Sequence, residues 1–330
     1  MKKFLIGALA GAMTLAAGSA AWAQENVTLQ LKWVTQGQFA GYYVAQAKGF
    51  YTDEGLTVDI KPGGPDIAPE QVIAGGGADV ITTWMAAGLA ARERGVPLVN
   101  IAQPFKSSGL LLTCRKDMGV NTTADFPGKT LGVWFFGNEY PFYAWMAKLG
   151  LKTEGGADGV EVLKQAFNVD PLIQKQAACI STMTYNEYGQ VLKAGLKPEE
   201  LTVFNYRDEG VGMLEDGLYV MEDKLKDPAF VAKMTKFVRA SMKGWEYARA
   251  HPDEAAQIIV DNDSTGAMTL EDQLYQVGEI NKLTDGSTGA LNEDDYQQTV
   301  NTLLSAVSPD NPAITKAPVG AFSHVVTDGL

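Results

Sequence analysis

The chain has 330 residues, 46% of them hydrophobic, and a formal charge of -12 at neutral pH. That length favours two domains over a single core, and the acidic balance argues against nucleic acid or an anionic membrane as a partner. Two cysteines and two histidines, far apart and without C-x-x-C or H-E-x-x-H context, exclude a disulfide scaffold and give no metal site.

The first 23 residues stand apart. Lys2 and Lys3 lead into an apolar run rich in Ala and Gly that ends in Ala21-Trp22-Ala23, the small-x-small pattern of a signal peptidase site. A cleaved signal peptide and a mature, exported chain from about Gln24 are expected. The alternative is an uncleaved anchor; no cysteine closes the run to take a lipid.

Apolar side chains at Val27, Leu29, Leu31 and Trp33 alternate as in a strand, and after Gln36-Gly37-Gln38 the period changes. Phe39, Tyr42, Tyr43 and Ala47 then follow helical spacing up to Lys48-Gly49. Leu56 to Ile60 is a second strand, stopped by the turn Pro62-Gly63-Gly64-Pro65, where bare glycine backbone allows close approach of a ligand. A short helix over Pro69 to Ala74, a strand over Ala78 to Thr83, a helix over Trp84 to Arg94 and a strand over Val96 to Ala102 follow. This alternation predicts βαβ units and a mostly parallel sheet.

Leu110 to Cys114 is again strand-like, and the rhythm restarts. Strands are expected at Leu131 to Phe135, Val160 to Leu163 and Ala178 to Met183, with helices at Phe142 to Lys148 and Pro171 to Ala177. Leu201 to Asn205 and Met213 to Met221 carry the chain back towards the first half. From Asp227 the spacing of Phe230, Met234, Phe237, Val238, Met242 and Trp245 is helical, and Pro252 to Val260 starts another helix. Acidic, Gly- and Asn-rich turns follow, then a last helix near Asp294 to Val307 and a loosely ordered tail after Pro309. Cys114 and Cys179 both sit in apolar strand-like runs, where a bridge and two buried thiols are alternative readings.

Catalytic signatures are missing: there is no G-x-S-x-G elbow, no P-loop and no G-x-G-x-x-G after a strand. Binding fits better. Trp33, Phe39, Tyr42, Trp84, Trp134, Tyr140, Tyr185 and Tyr188 lie at or near strand ends, where open α/β sheets take their ligands and flat rings can stack on a planar guest. Gln38, Asn138 and Asn186 add amides, and Glu139 a single acceptor. Glu187, between two tyrosines, could accept N–H bonds from an aminopyrimidine edge, or could simply open a helix at the surface. Asp216 either approaches the cleft from the returning crossover or forms a plain turn. No Lys or Arg is expected in these crevices, which disfavours nitrate, taurine or sulfonate.

The run LKWVTQGQFAGYYVAQAKGFYTDEGLTVDIKPGG, with ADVITT, RKDMGVNTTADFPGKTLGVW and MTYNEY, resembles the NMT1/THI5-like periplasmic substrate-binding proteins of ABC importers. The form with GNEYP and TYNEY looks nearest to the branch that binds the pyrimidine precursor of thiamine, or a related flavin-like heterocycle. The resemblance implies a two-lobed, type II-like α/β fold with the ligand cleft between the lobes: residues 24–110 plus 215–310 as lobe 1, 111–214 as lobe 2, and 311–330 as a tail. It implies Trp33 and Tyr42 stacking on the ring and Glu187 bonding its amino group; Gly64 and the other residues named above complete the expected site on the reading of the residues themselves. It also implies a monomer that delivers its ligand to a membrane permease and needs no cofactor. Family members that act as pyrimidine synthases carry a cysteine-rich motif, which this chain lacks. A secreted hydrolase and a ligand-sensing domain are the competing classes.

Overall fold

The computed structural model describes residues 24–135, 137–306 and 312–330; the expected leader, residues 1–23, lies outside them. The first half runs β1 (Glu25–Gln30), α1 (Ala40–Ala47), α2 (Phe50–Asp53), β2 (Leu56–Lys61), α3 (Pro69–Ala74), β3 (Val80–Thr83), α4 (Met85–Glu93) and β4 (Leu98–Ala102). The chain then crosses over into β5 (Leu110–Arg115), β6 (Thr130–Val133), α5 (Tyr140–Leu149), β7 (Glu161–Lys164), α6 (Asp170–Ile173), β8 (Cys179–Met183), α7 (Glu187–Lys193) and β9 (Leu201–Asn205). It returns as β10 (Gly217–Met221) and finishes in α8 (Pro228–Ala250), α9 (Pro252–Asp261), α10 (Leu270–Thr284) and α11 (Glu293–Ser305).

Two five-stranded sheets result, in the orders β2-β1-β3-β10-β4 and β7-β6-β8-β5-β9. In each, three strands run parallel: β1 with β2 and β3, and β6 with β7 and β8. The fourth strand in each order is reversed, β10 against β3 and β4, and β5 against β8 and β9. These reversed strands are the ones by which the chain leaves lobe 1 and comes back to it. The molecule is therefore a two-lobed α/β fold of the type II periplasmic-binding-protein kind.

The lobes share packing. One buried cluster runs from Leu29 and Val44 in lobe 1, through Phe105 and Tyr185, to Leu112 and Trp145 in lobe 2. In lobe 1 the α1–α8 crossing is set by glycine: a Cβ on Gly41 would overlap the Trp245 indole, and one on Gly244 would overlap the Gly41 carbonyl oxygen. Asp227 caps α8 by accepting the Ala229 N–H at 2.9 Å, one of the donors a helix start leaves open.

Two expectations change, and one open choice closes. The stretch read as turns after Val260 contains α10, whose Gln273 side chain accepts the Gly37 N–H at 2.7 Å and so props the loop after β1. The C-terminal residues are not loose, because Ala313, Ile314, Ala321 and Val326 are buried, and Asn100 exchanges backbone hydrogen bonds with Ala321 and Ser323. Cys114 and Cys179, directly opposed on β5 and β8, form a disulfide, closing the choice that the sequence left open.

Candidate ligand-binding site

Between the lobes lies a cavity of about 800 Å³, within the size range of small-molecule sites. Its walls are the segments that follow β1, β2 and β3 in lobe 1, and β6, β7 and β8 in lobe 2. Side chains at those ends are free of the sheet's hydrogen-bond ladder and converge from two sheets on one space.

Lobe 1 supplies Trp33, Gln36, Gln38, Gly64 and Trp84. Backbone ties fix this wall: Lys32 N–H donates to Thr82 Oγ1 at 2.8 Å, and Gly63 N–H to Trp33 O at 2.8 Å. Trp84 sits at the start of α4, and its buried indole N–H has no hydrogen-bond partner among the described residues. Lobe 2 supplies Trp134, Asn138, Glu139, Tyr140, Tyr185, Asn186 and Glu187. The Trp134 indole N–H donates to Ala166 O at 3.2 Å and Asn138 Nδ2 to Phe135 O at 3.0 Å, while Glu139 Oε2 accepts the Gly137 N–H at 2.7 Å.

Glu187 opens α7 but is buried, at 6% exposure, which excludes the surface reading. Its oxygens accept the Met183 N–H at 3.0 Å and Asn186 Nδ2 at 2.9 Å. Burial outweighs these bonds and pushes its carboxyl up to about 7, so it stands near the boundary between acceptor and donor. Burial also raises Glu139, with Lys32 pulling the other way.

The structure does not bring every expected residue to this cavity. Phe39 and Tyr42 are fully buried in the lobe 1 core, Tyr42 edge-on to Trp245 at a centroid distance of 5.4 Å. Strand-end position gives no way to tell the cavity-facing side of the turn from the side that α8 covers. Tyr188 packs against the small cluster of Leu172, Ile180 and Val191, on a different face of α7 from Glu187. Asp216 neither lines the cavity nor forms an open turn; it is buried behind Gln38, whose Nε2 it accepts at 2.5 Å.

The expectation of a cavity without cations is also corrected: Lys32, Arg94 and Lys164 are all in its walls. Lys32 falls on the polar side of the strand pattern, yet its ammonium lies 4.7 Å from the Trp84 ring centroid, a contact between neighbouring strand ends that local pattern does not show. Phe167 is a further wall residue outside the expected set. It follows β7, and its ring meets Trp33 of the other lobe at 4.6 Å, so the rule that selects Trp33 would select it too. A second cavity of about 680 Å³ lies between α5 and α11, and the described residues that line it include no aromatic ring and no buried carboxylate.

Paired sheets with strand ends meeting over a ring-walled cleft define the two-lobed periplasmic-binding-protein fold. The NMT1/THI5-like family profile matches residues 36–255, and the chain belongs to that family. It is similar to the riboflavin-binding protein RibY of Chloroflexus aurantiacus, 27% identical over 262 residues that span 76% of this chain and 71% of that one. It is also similar to the formylaminopyrimidine-binding protein of Halalkalibacterium halodurans, 23% identical over 311 residues, or 92% of this chain and 91% of that one. A solved structure from Bordetella bronchiseptica RB50 shares the fold with a TM-score of 0.68 at 20% identity, covering 93% of this chain and 97% of its own.

Proposed function

We propose that this protein is exported, captures a small planar nitrogen heterocycle in its interlobe cavity, and hands it unaltered to a membrane permease. The guest we favour is an aminopyrimidine of the thiamine-precursor type. The observation that carries this reading is Glu187: a buried carboxyl facing the cavity from lobe 2, opposite a lobe 1 wall built of Trp33, Trp84 and paired amides. Rings supply stacking surface, and the carboxyl supplies an acceptor for N–H groups at a cost that only a matched guest offsets. The formylaminopyrimidine-binding relative, matched over nearly the whole chain, supports the same choice. A transport role is favoured over catalysis because, among the described residues, the cavity wall holds no histidine and both cysteines are bridged. Closure of the lobes on the guest gives the permease a distinct shape to recognise.

A second reading has its own support. A cavity of about 800 Å³ is several times larger than one six-membered ring, and rings enter it from both lobes, as a three-ring flavin would require. The riboflavin-binding relative is in keeping with it. Thermal shift and calorimetry with a panel of aminopyrimidines, thiamine, riboflavin and alkanesulfonates decide the matter. An aminopyrimidine should raise the melting temperature, with binding weakened about tenfold or more by Glu187→Ala. A response to riboflavin alone would transfer the assignment to the second reading, and one to sulfonates alone would discard both.

A further inference from the structure

Glutamine is ambiguous, because one end of its amide donates, the other accepts, and the two ends have nearly the same shape. Two glutamines, Gln36 and Gln38, stand side by side in the lobe 1 wall of the cavity. Gln36 Nε2 donates to Gln38 Oε1 at 2.6 Å, and Gln38 Nε2 donates to Asp216 Oδ2 at 2.5 Å. An ionised carboxylate only accepts. Asp216 therefore draws the Gln38 nitrogen inward, which turns the Gln38 oxygen to Gln36 and leaves the Gln36 carbonyl oxygen as the end available to a guest.

Among the described residues, no other side-chain hydrogen bond to Gln36 or Gln38 imposes that polarity. Asp216 is 1% exposed, and its second oxygen has no hydrogen-bond partner among the described residues, an arrangement that costs stability when a packed apolar side chain could stand there instead. The ionisable groups around it are Lys32 from the loop after β1, Tyr42 on α1, Tyr185 from lobe 2, Tyr219 on β10, and Glu215 next to it in the chain. Lys32 is the cation among them, and it favours the ionised carboxylate.

We propose that Asp216 is a positioning residue: through Gln38 it fixes Gln36 as an acceptor, so that the cavity selects guests presenting an N–H to the lobe 1 wall. The guest-selection half rests on the function proposed above, whereas the polarity half concerns the protein alone. With Asp216 protonated, the relay loses its fixed end and both amides are free to turn over. Burial raises the Asp216 carboxyl, against the pull of Lys32 and the Gln38 hydrogen bond, so this loosening sets in at mildly acidic pH.

Two measurements test the two halves. In the ligand-free protein, the side-chain amide NMR signals of Gln36 and Gln38 should shift together as pH falls through the titration of Asp216. In Asp216→Leu they should sit at averaged, pH-independent positions. Signals that stay put with pH in the native protein, or that move in Asp216→Leu as they do in the native protein, would overturn the relay, and the native titration decides even if the variant does not fold. In calorimetry, native protein should prefer 4-aminopyrimidine over 4-methylpyrimidine by about tenfold, the order expected of one buried hydrogen bond. Asp216→Leu, which lies outside the cavity lining, should remove most of that ratio while leaving 4-methylpyrimidine binding nearly unchanged. Equal weakening of both probes would show a merely structural role and defeat the proposal. If neither probe binds native protein, it is the heterocycle assignment that fails, and the amide titration still settles the relay.

Discussion

The Tyr185 hydroxyl donates to Glu215 Oε1 at 2.6 Å, and through that bond a wall of the ligand cavity in lobe 2 is fastened to the segment that leads the chain back into lobe 1. The other oxygen of Glu215 accepts the N–H of Gly109, on the outgoing crossover, at 2.8 Å. One buried carboxyl thus joins both interlobe connections. Tyr185→Phe removes a donor from it and leaves the rest of the packing in place. Stability should fall by about 1–3 kcal/mol. The loss should be larger at pH 8 than at pH 5, since the hydroxyl supports the ionised form, and equal losses at both pH values would show that Glu215 does not titrate in this range.

The buried carboxyls also set a pH profile. Glu187 is raised to about 7 by burial, and Glu215 and Asp216 are raised by burial, Glu215 further by its acidic neighbour. Acids whose folded pKa lies above the unfolded value stabilise fully below the unfolded value, near 4, and that contribution is lost as pH rises through the folded value. Asp263, held down to about 2 by Thr265 and backbone N–H groups, acts in the opposite sense and only below about pH 4. The melting temperature of ligand-free protein should therefore drop by several degrees between pH 5.5 and pH 8. Glu187→Gln should flatten the drop. A melting temperature that is level or rises over that interval contradicts the account.

Across the cleft, Phe167 and Trp33 close one side of the cavity by a ring contact worth about 0.5–1.5 kcal/mol. Phe167 is 42% exposed, so its removal opens a path and leaves no core void. In stopped-flow tryptophan fluorescence, Phe167→Ala should raise the dissociation rate of the bound heterocycle by about two- to tenfold. The association rate should rise too, so that affinity changes less than either rate. Unchanged rates would mean that guests enter elsewhere.

What the sequence conveyed, and what it withheld, follows from the range of each interaction. Alternation at Val27, Leu29 and Leu31 and the helical spacing of Phe230, Met234 and Phe237 are local, and β1 and α8 could be read directly. The strand-end rule located Trp33, Trp84, Tyr185 and Glu187, because chain order alone puts residues at strand ends. It could not separate Trp33 from Tyr42, since which side of a turn is covered depends on Trp245 of α8, some two hundred residues later. The helix α10 escaped for a related reason: its buried positions include Gln273 and Gln276, polar residues kept inside by partners far away in sequence, Gly37 and Asn186. Lys32 joined the cavity through a contact with Trp84 that no periodicity encodes.

Glycine offers a paired test of the lobe 1 core. Gly41→Ala or Gly244→Ala forces α1 and α8 apart, because the added methyl meets the Trp245 ring or the Gly41 backbone. Each should cost about 1–3 kcal/mol or more in urea unfolding. Gly278, inside α10, has open space where a methyl would stand, with nothing within 4 Å of it. Gly278→Ala should instead gain about 0.5–1 kcal/mol through helix propensity and backbone entropy. The same sign for all three would refute close packing as the reason for the first two.

The disulfide ties lobe 2 to the proposed route of export. Cys114 and Cys179 are fully buried and 65 residues apart in sequence, so the bond closes a long loop of the unfolded chain. Loop-closure entropy for that length is worth roughly 4 kcal/mol. Oxidising compartments keep such bonds and the cytosol does not. Protein recovered from the periplasm should therefore release no thiol on denaturation, whereas the same chain made in a reducing cytoplasm should release two and melt several degrees lower. Cys114→Ala with Cys179→Ala should melt lower from either source, with compartment making no difference. Two free thiols in the periplasmic material would break the link between this bond and export, and with it one physical argument for placing the protein outside the cytoplasm.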